Sequence, residues 1–262
     1  MKKKISHMPR KRFGQNFLQD EEVVAQIVAA IDPCSDDLMV EIGPGLGALT
    51  SALLPKLQTL HVIEFDRDLI PKLKQTCANI GELIVHQADA LKFDFEALIA
   101  AKQKLRVVGN LPYNISSPLI FHLLEFASNI KDMHFMLQKE VADRMSAHVG
   151  TKAYGRLSIM VQYFCQTEKL FEVPASAFHP QPKVTSSFIR LIPHKKIPAR
   201  AKDFTKFAET VKIAFNQRRK TLRNALKLII STDALEKLGI NPKLRPEQLN
   251  IKDYVRISDL IS

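Results

Sequence analysis

The chain has 262 residues, 46% hydrophobic and 25% charged, and carries a formal net charge of +11. That is enough apolar sequence for one sizeable core and one small one. It includes no run of membrane-spanning length and no apolar segment behind the N-terminal lysines of the kind a secretory leader needs, and the three cysteines, Cys34, Cys77 and Cys165, show no metal-ligand spacing, so reduced structural thiols in a cytosolic protein are expected.

The positive charge is unevenly spread. Residues 1–12 hold six Lys or Arg and no acid, residues 13–196 hold eighteen basic and twenty acidic side chains, and residues 197–262 hold fourteen basic and seven acidic. A nearly neutral body with basic ends suits phosphate contacts flanking a cleft, a salt-sensitive and largely sequence-independent attraction to a polyanion.

In chain order, Leu38-Met-Val-Glu-Ile42 reads as a buried strand, Gly43-Pro-Gly-Leu-Gly47 as a glycine turn, and residues 48–57 as a helix. Strand, turn and helix make the first half of a nucleotide-binding βαβ unit, in which glycine lets a ligand approach the backbone. The spacing G-x-G-x-G is not the dinucleotide G-x-G-x-x-G, and Pro44 removes an amide that a pyrophosphate would use, which disfavours NAD. A second strand over 59–65 carries Glu64 at its end, where an acid can hold both ribose hydroxyls, with Asp66 as a competitor. A third, 83–88, ends in Asp89-Ala90, and a fourth ends in Asn110. Ligands in open α/β sheets sit beyond the carboxyl ends of the strands, which is where Gly43, Glu64, Asp89 and Asn110 fall. A linker is expected at Pro193-His-Lys-Lys-Ile-Pro-Ala199, dividing an α/β body, 1–196, from a helical module, 197–262. In that module residues 203–230 read as a helix with Phe207, Val211, Phe215, Leu222, Leu226 and Ile229 on one side. The basic cluster Arg218, Arg219, Lys220 and Arg223 interrupts it and could meet an RNA backbone. Short helices are expected at 232–238 and at 245–250, where Pro246 suits the first turn.

Asn110-Leu111-Pro112-Tyr113 carries the most chemistry. The side-chain oxygen of Asn110 can accept one hydrogen of an adenine 6-amino group, the carbonyl of Leu111 or Pro112 can accept the other, and Tyr113 can stack on the base. Two acceptors held out of the ring plane draw the nitrogen toward a pyramidal geometry and free its lone pair for an electrophile. No general base is required, because the alkylated nitrogen loses its extra proton readily to water. Amine methylation follows as the expected chemistry, with no metal.

Six motifs stand in order: Arg12-Phe-Gly-Gln-Asn-Phe-Leu18, Glu41-Ile-Gly-Pro-Gly-Leu-Gly47, Asn110-Leu-Pro-Tyr-Asn-Ile115, Glu140-Val-Ala-Asp-Arg144, Tyr154-Gly-Arg-Leu157 and Phe178-His-Pro-Gln-Pro-Lys-Val184. Together they resemble the rRNA adenine dimethyltransferases of the KsgA/RsmA type. The resemblance implies S-adenosyl-L-methionine as methyl donor and an α/β class I methyltransferase fold, Rossmann-like, with a seven-stranded sheet whose last hairpin is antiparallel. It also implies that Asn16 and Leu18, with Gln15 beside them, close over the cofactor. Gly43, with Gly45 in the same turn, would lie against the methionine part, Glu64 would hold the ribose, and Asp89 with Ala90 would meet the adenine. Asn110 would stand between cofactor and substrate, and Phe178 would stack on the target base opposite Tyr113. The implied reaction is dimethylation of two adjacent adenosines in the 3′-terminal hairpin of 16S rRNA within a pre-30S particle, by a monomer that needs no membrane. Three rivals are a large-subunit rRNA methyltransferase of the macrolide-resistance type, a non-catalytic assembly or transcription factor on the same fold, and a nicotinamide oxidoreductase.

Overall fold

The computed structural model describes residues 15–99 and 103–261. The basic stretch 1–12 lies outside the described residues. Nine strands are present among them: β1 (Phe17–Leu18), β2 (Leu38–Ile42), β3 (Thr59–Glu64), β4 (Glu82–Gln87), β5 (Leu105–Asn110), β6 (Ile130–Gln138), β7 (Cys165–Val173), β8 (Phe178–His179) and β9 (Ser186–Pro193). Seven form one sheet in the order β4-β3-β2-β5-β6-β9-β7, with β1 and β8 paired apart from it. The run β4 to β6 is parallel, and β9 returns antiparallel to β6, pairing Gln138 with Ser186 and Met133 with Leu191. The strands β2 and β5 sit at the centre and read as near-continuous apolar runs because helices cover both faces of a parallel sheet. Crossover connections bring the carboxyl ends of β2, β3, β4 and β5 to one edge.

The helices of this sheet are α1 (Glu21–Ile31), α2 (Ala48–Leu53), α3 (Ile70–Thr76), α4 (Ser116–Glu125) and α5 (Lys139–Met145). Asp20 starts α1 by accepting the amides of Glu22 and Val23 at 3.0 and 3.1 Å, which satisfies donors that have no partner in a first turn. The stripe Val24, Ile27, Val28 and Ile31 turns inward, and the helix closes on Asp32 in the left-handed region at φ 49°. Arg106 in β5 fastens this end: its guanidinium donates to the carbonyls of Ile31 and Asp32 and pairs with Asp37 at 2.6 Å and Asp132 at 2.9 Å. The helix expected over 48–57 ends at Leu53 and tightens into a 3-10 turn, Leu54–Lys56, since Pro55 has no N–H to continue the ladder.

The chain divides into two compact units, residues up to Ala142 with Glu168–Pro193, and Asp143–Thr167 with the segment from His194 onward. The expected boundary after residue 196 therefore misses one exchange: residues 143–167 pack with the C-terminal helices. Their helix α6 (Arg156–Phe164) places Tyr163 against Phe207, 4.6 Å between ring centres, and its hydroxyl accepts the amide of Ala201 at 3.1 Å. The second unit continues with α7 (Phe204–Asn216), α8 (Leu222–Ala225), α9 (Thr232–Lys237) and α10 (Ile251–Leu260). The single helix expected over 203–230 is thus two, because the amides of Leu222 and Arg223 bond to the carbonyls of Leu244 and Pro242 instead of continuing the helix. The short helix expected at 245–250 is only a 3-10 turn, Pro246–Gln248. The sequence reading missed α10, which Asn250 caps by accepting the Asp253 amide at 3.0 Å.

Candidate active site

The strand ends converge on a cavity of about 270 Å³ in the first unit. Its lining includes Gln15, Asn16, Leu18, Gly43, Gly45, Glu64, Asp89, Ala90 and the whole Asn110 to Tyr113 stretch, so the structure brings these expected residues together. The glycine turn after β2 permits the approach: Gly45 has φ +59°, and a Cβ there would stand 3.0 Å from the ring of Phe17. Gly109, one residue before Asn110, has no room for a side chain either, since a Cβ would meet the Ile42 carbonyl at 2.5 Å. Close packing of β5 on β2 therefore sets where Asn110 emerges.

Glu64 is held by two backbone amides, Asp66 N–H to Oε1 at 2.8 Å and Gly45 N–H to Oε2 at 3.2 Å. Burial raises its pKa, against the pull of those amides. Asp66 accepts from the side chain of Gln15 at 3.1 Å. Asp89 accepts the amide of Leu91 at 3.0 Å. Glu41, which the sequence reading passed over, is buried in the same lining; it accepts the Thr50 hydroxyl at 2.6 Å, and burial pushes its pKa up to about 7. An acid inside the apolar strand Leu38–Ile42 was the available signal. Among the described residues the lining holds four carboxyl groups, on Glu41, Glu64, Asp66 and Asp89, and no Lys, Arg or His. Such a wall suits a ligand with positive charge and repels a pyrophosphate.

At the other wall, the Asn110 side-chain NH2 donates to the Asn16 carbonyl at 2.9 Å. Leu111 donates its amide to Met136 O at 3.2 Å, and the Pro112 carbonyl accepts from Ile115 N–H at 3.1 Å. Among the described residues the Leu111 carbonyl has no partner, and so it is the better placed of the two candidate main-chain acceptors. Tyr113 is fixed by a 2.9 Å hydrogen bond between its hydroxyl and that of Ser186, and burial raises its pKa. Phe178 is not in the lining: it is 4% exposed, in the apolar cluster with Leu18, Val28 and Phe188, because pairing of β8 with β1 turns it inward.

In the second unit Arg219, Lys220 and Arg223 are exposed. Arg218 is engaged differently, donating to the Lys152 carbonyl at 2.6 Å and lying 3.7 Å from Glu247. Among the described residues no group of three or more His, Cys, Asp or Glu could hold a metal ion, and no helix is long and apolar enough to cross a membrane.

A sequence profile described as ribosomal RNA adenine dimethylase matches residues 6–262. The chain is 54% identical to ribosomal RNA small subunit methyltransferase A of Marinobacter nauticus over all of this chain and 95% of that protein. It is 55% identical to the protein of the same name from Acinetobacter baylyi, over 98% of this chain and 94% of that one. Among solved structures, a dimethyladenosine transferase from Plasmodium falciparum superposes with a TM-score of 0.79 at 30% identity, covering 92% of this chain and 95% of that one. The 23S rRNA methyltransferase ErmE shares the fold, with a TM-score of 0.74 at 23% identity, covering 94% and 99%. The α/β fold with its seven-stranded, mostly parallel sheet is that of class I methyltransferases. With a matching profile across nearly its whole length and full-length relatives above half identity, the chain belongs to the ribosomal RNA adenine dimethylase family.

Proposed function

We propose that this protein transfers methyl groups from S-adenosyl-L-methionine to the N6 amino groups of two adjacent adenosines in the 3′-terminal hairpin of 16S rRNA, in a pre-30S or 30S particle, as a cytoplasmic monomer. The observation that carries the chemistry is a cavity whose wall, among the described residues, has four carboxyl groups and no cation, flanked by the side-chain oxygen of Asn110 and the open carbonyl of Leu111. The donor fits this lining, since its sulfonium and ammonium groups are positive and it has no phosphate; when bound, it supplies an electrophilic methyl group. Glu64 would hold the ribose, Asp89 and Ala90 the adenine, and Gly43, Gly45, Asn16, Leu18 and Gln15 the remainder.

The residues of the chain then do the rest. The base leaves its stack at a cost of a few kcal/mol, and Tyr113, its ring plane fixed through Ser186, returns roughly 1–3 kcal/mol by stacking. Asn110 Oδ1 and Leu111 O accept the two amine hydrogens and aim the nitrogen lone pair at the methyl carbon. The bound donor would supply the methyl and leave with the S–C electron pair, and the excess proton on the newly methylated amine would pass to water, with no residue of the wall needed as a base. Positioning of this kind is worth about 7–11 kcal/mol in favourable systems. Arg219, Lys220 and Arg223 contact RNA phosphates. Phe178 is buried, so the stacking role rests on Tyr113 alone.

The test supplies labelled methyl donor to 30S subunits from an unmodified strain and, separately, to naked 23S rRNA. Label on two neighbouring adenosines near the 16S 3′ end supports the proposal. Label confined to 23S rRNA moves the substrate to the large subunit, and RNA binding without transfer reduces the protein to an assembly factor.

A further inference from the structure

The segment from Gln15 to Leu18 touches the loops after β2, β3 and β5, three of those that build the cavity. Gln15 donates to Asp66 after β3, the Phe17 ring lies against Gly45 after β2, and β1 pairs with β8. Its fourth contact reaches the proposed base acceptor: the Asn16 carbonyl receives the Asn110 NH2 at 2.9 Å. A carboxamide has a donor end and an acceptor end of nearly the same shape. Only the oxygen can receive an amine hydrogen; the NH2 end would set donor against donor. Whatever fixes the rotation of that amide decides whether the pocket accepts an adenine amine at all.

We infer that the main-chain carbonyl of Asn16 is the positioning group for the reaction: by binding the NH2 of Asn110 it turns Oδ1 toward the target amine, so that the segment over the cofactor also orients the base acceptor. This rests on the proposed role of Asn110 as the acceptor. A mirror-image arrangement, with the Asn110 oxygen toward the segment, is disfavoured because Asn16 O has no hydrogen to give. The seat of Gln15 on Asp66 and of Phe17 on Gly45 holds the carbonyl in place from both sides. Donor site and base site are therefore joined through one hydrogen bond.

The Asn110→Asp variant separates this from a merely structural role. Its carboxylate keeps two acceptors and has no hydrogen, so it repels the Asn16 carbonyl. Once protonated, its O–H can donate to Asn16 while its C=O accepts the amine, which restores the arrangement. The expected result, measured as kcat on undermethylated 30S subunits, is an Asn110→Asp to wild-type ratio that rises as pH falls from about 8 to about 5.5, by roughly tenfold per unit while the pH stays above the pKa of the introduced carboxyl. A flat ratio, or one that falls in acid, while Asn110→Ala is inactive, overturns the role of Asn16 and leaves the acceptor role of Asn110 standing. Full activity of Asn110→Ala overturns both. A second measurement does not depend on turnover. In the 15N-labelled wild-type protein, one hydrogen of the Asn110 side-chain amide should exchange with solvent more slowly than the other; equal fast exchange also overturns the inference.

Discussion

Asn110 and Glu64 both line one cavity, and their loss should be told apart by which constant moves. Asn110→Ala removes the acceptor that acts on the amine. A fall in kcat of at least about a hundredfold is expected, with RNA affinity nearly unchanged, as followed by single-turnover methylation and filter binding; parallel loss of both would contradict the assignment. Glu64→Ala removes a carboxylate already oriented by two amides, so donor affinity measured by calorimetry should drop by roughly tenfold or more, and an unchanged affinity would pass the ribose contact to Asp66. Glu41 gives a pH signature. Burial raises its pKa from the ordinary 4.5 to about 7, with a further push from the charge of Glu64 and an opposing pull from the Thr50 hydroxyl. The folded state thus holds the proton more tightly than the unfolded one. Its contribution to stability is complete below about 4.5 and is lost as pH rises to about 7. Glu41→Gln keeps the shape and cannot ionise, so its advantage in thermal unfolding over the wild type should grow across that window, to about 3 kcal/mol at most. A constant difference would place the ionisation elsewhere.

The elements that carry these residues differ in how far the sequence announces them. The glycine turn and the ends of β2 to β5 were legible because each depends on a local pattern: an apolar run, a turn residue and an acid or amide at the strand end. The hydrogen bond from Asn110 to Asn16 and the burial of Phe178 were not, since both depend on the pairing of β1 with β8, two strands of two residues each with no periodicity to reveal them. Arg218 shows the same limit. In sequence it is one of four neighbouring cations, yet its guanidinium is taken up by the Lys152 carbonyl and by Glu247, from segments distant in the chain. The break between α7 and α8 turns Arg219, Lys220 and Arg223 outward instead. The four should therefore part company under substitution. Arg218→Ala is expected to lower unfolding stability by roughly 1 kcal/mol and leave the salt dependence of RNA binding nearly intact. Joint replacement of Arg219, Lys220 and Arg223 by Gln should leave stability within about 0.5 kcal/mol and reduce the slope of log K against log salt by up to about 2 to 3. An unaltered slope would place the phosphate contacts on other side chains.

For the whole molecule, charge and fold separate two kinds of binding. The described cavity wall is acidic, as the proposed donor requires, whereas the excess of positive charge resides in residues 1–12 and 197–262. The composition gave this division directly, because it needs only a count along the chain. The exchange of residues 143–167 into the second unit was hidden, since a helix pattern says which face is apolar and not what that face meets. With acids concentrated at the proposed donor site and bases at the proposed RNA contacts, salt should act on the two steps in unequal measure. Raising ionic strength screens the donor site only over short distances, but it removes the counterion release that drives association with a polyanion. Full-length protein in which the six Lys and Arg of residues 1–12 are replaced by Gln is therefore expected to keep its donor affinity and its rate at saturating 30S substrate. Its KM for that substrate should rise at about 50 mM salt and converge on the wild-type value at high salt, where the lost contacts no longer contribute. A KM that stays equally shifted at every salt concentration would mean that these residues order the active site, not that they attract the substrate.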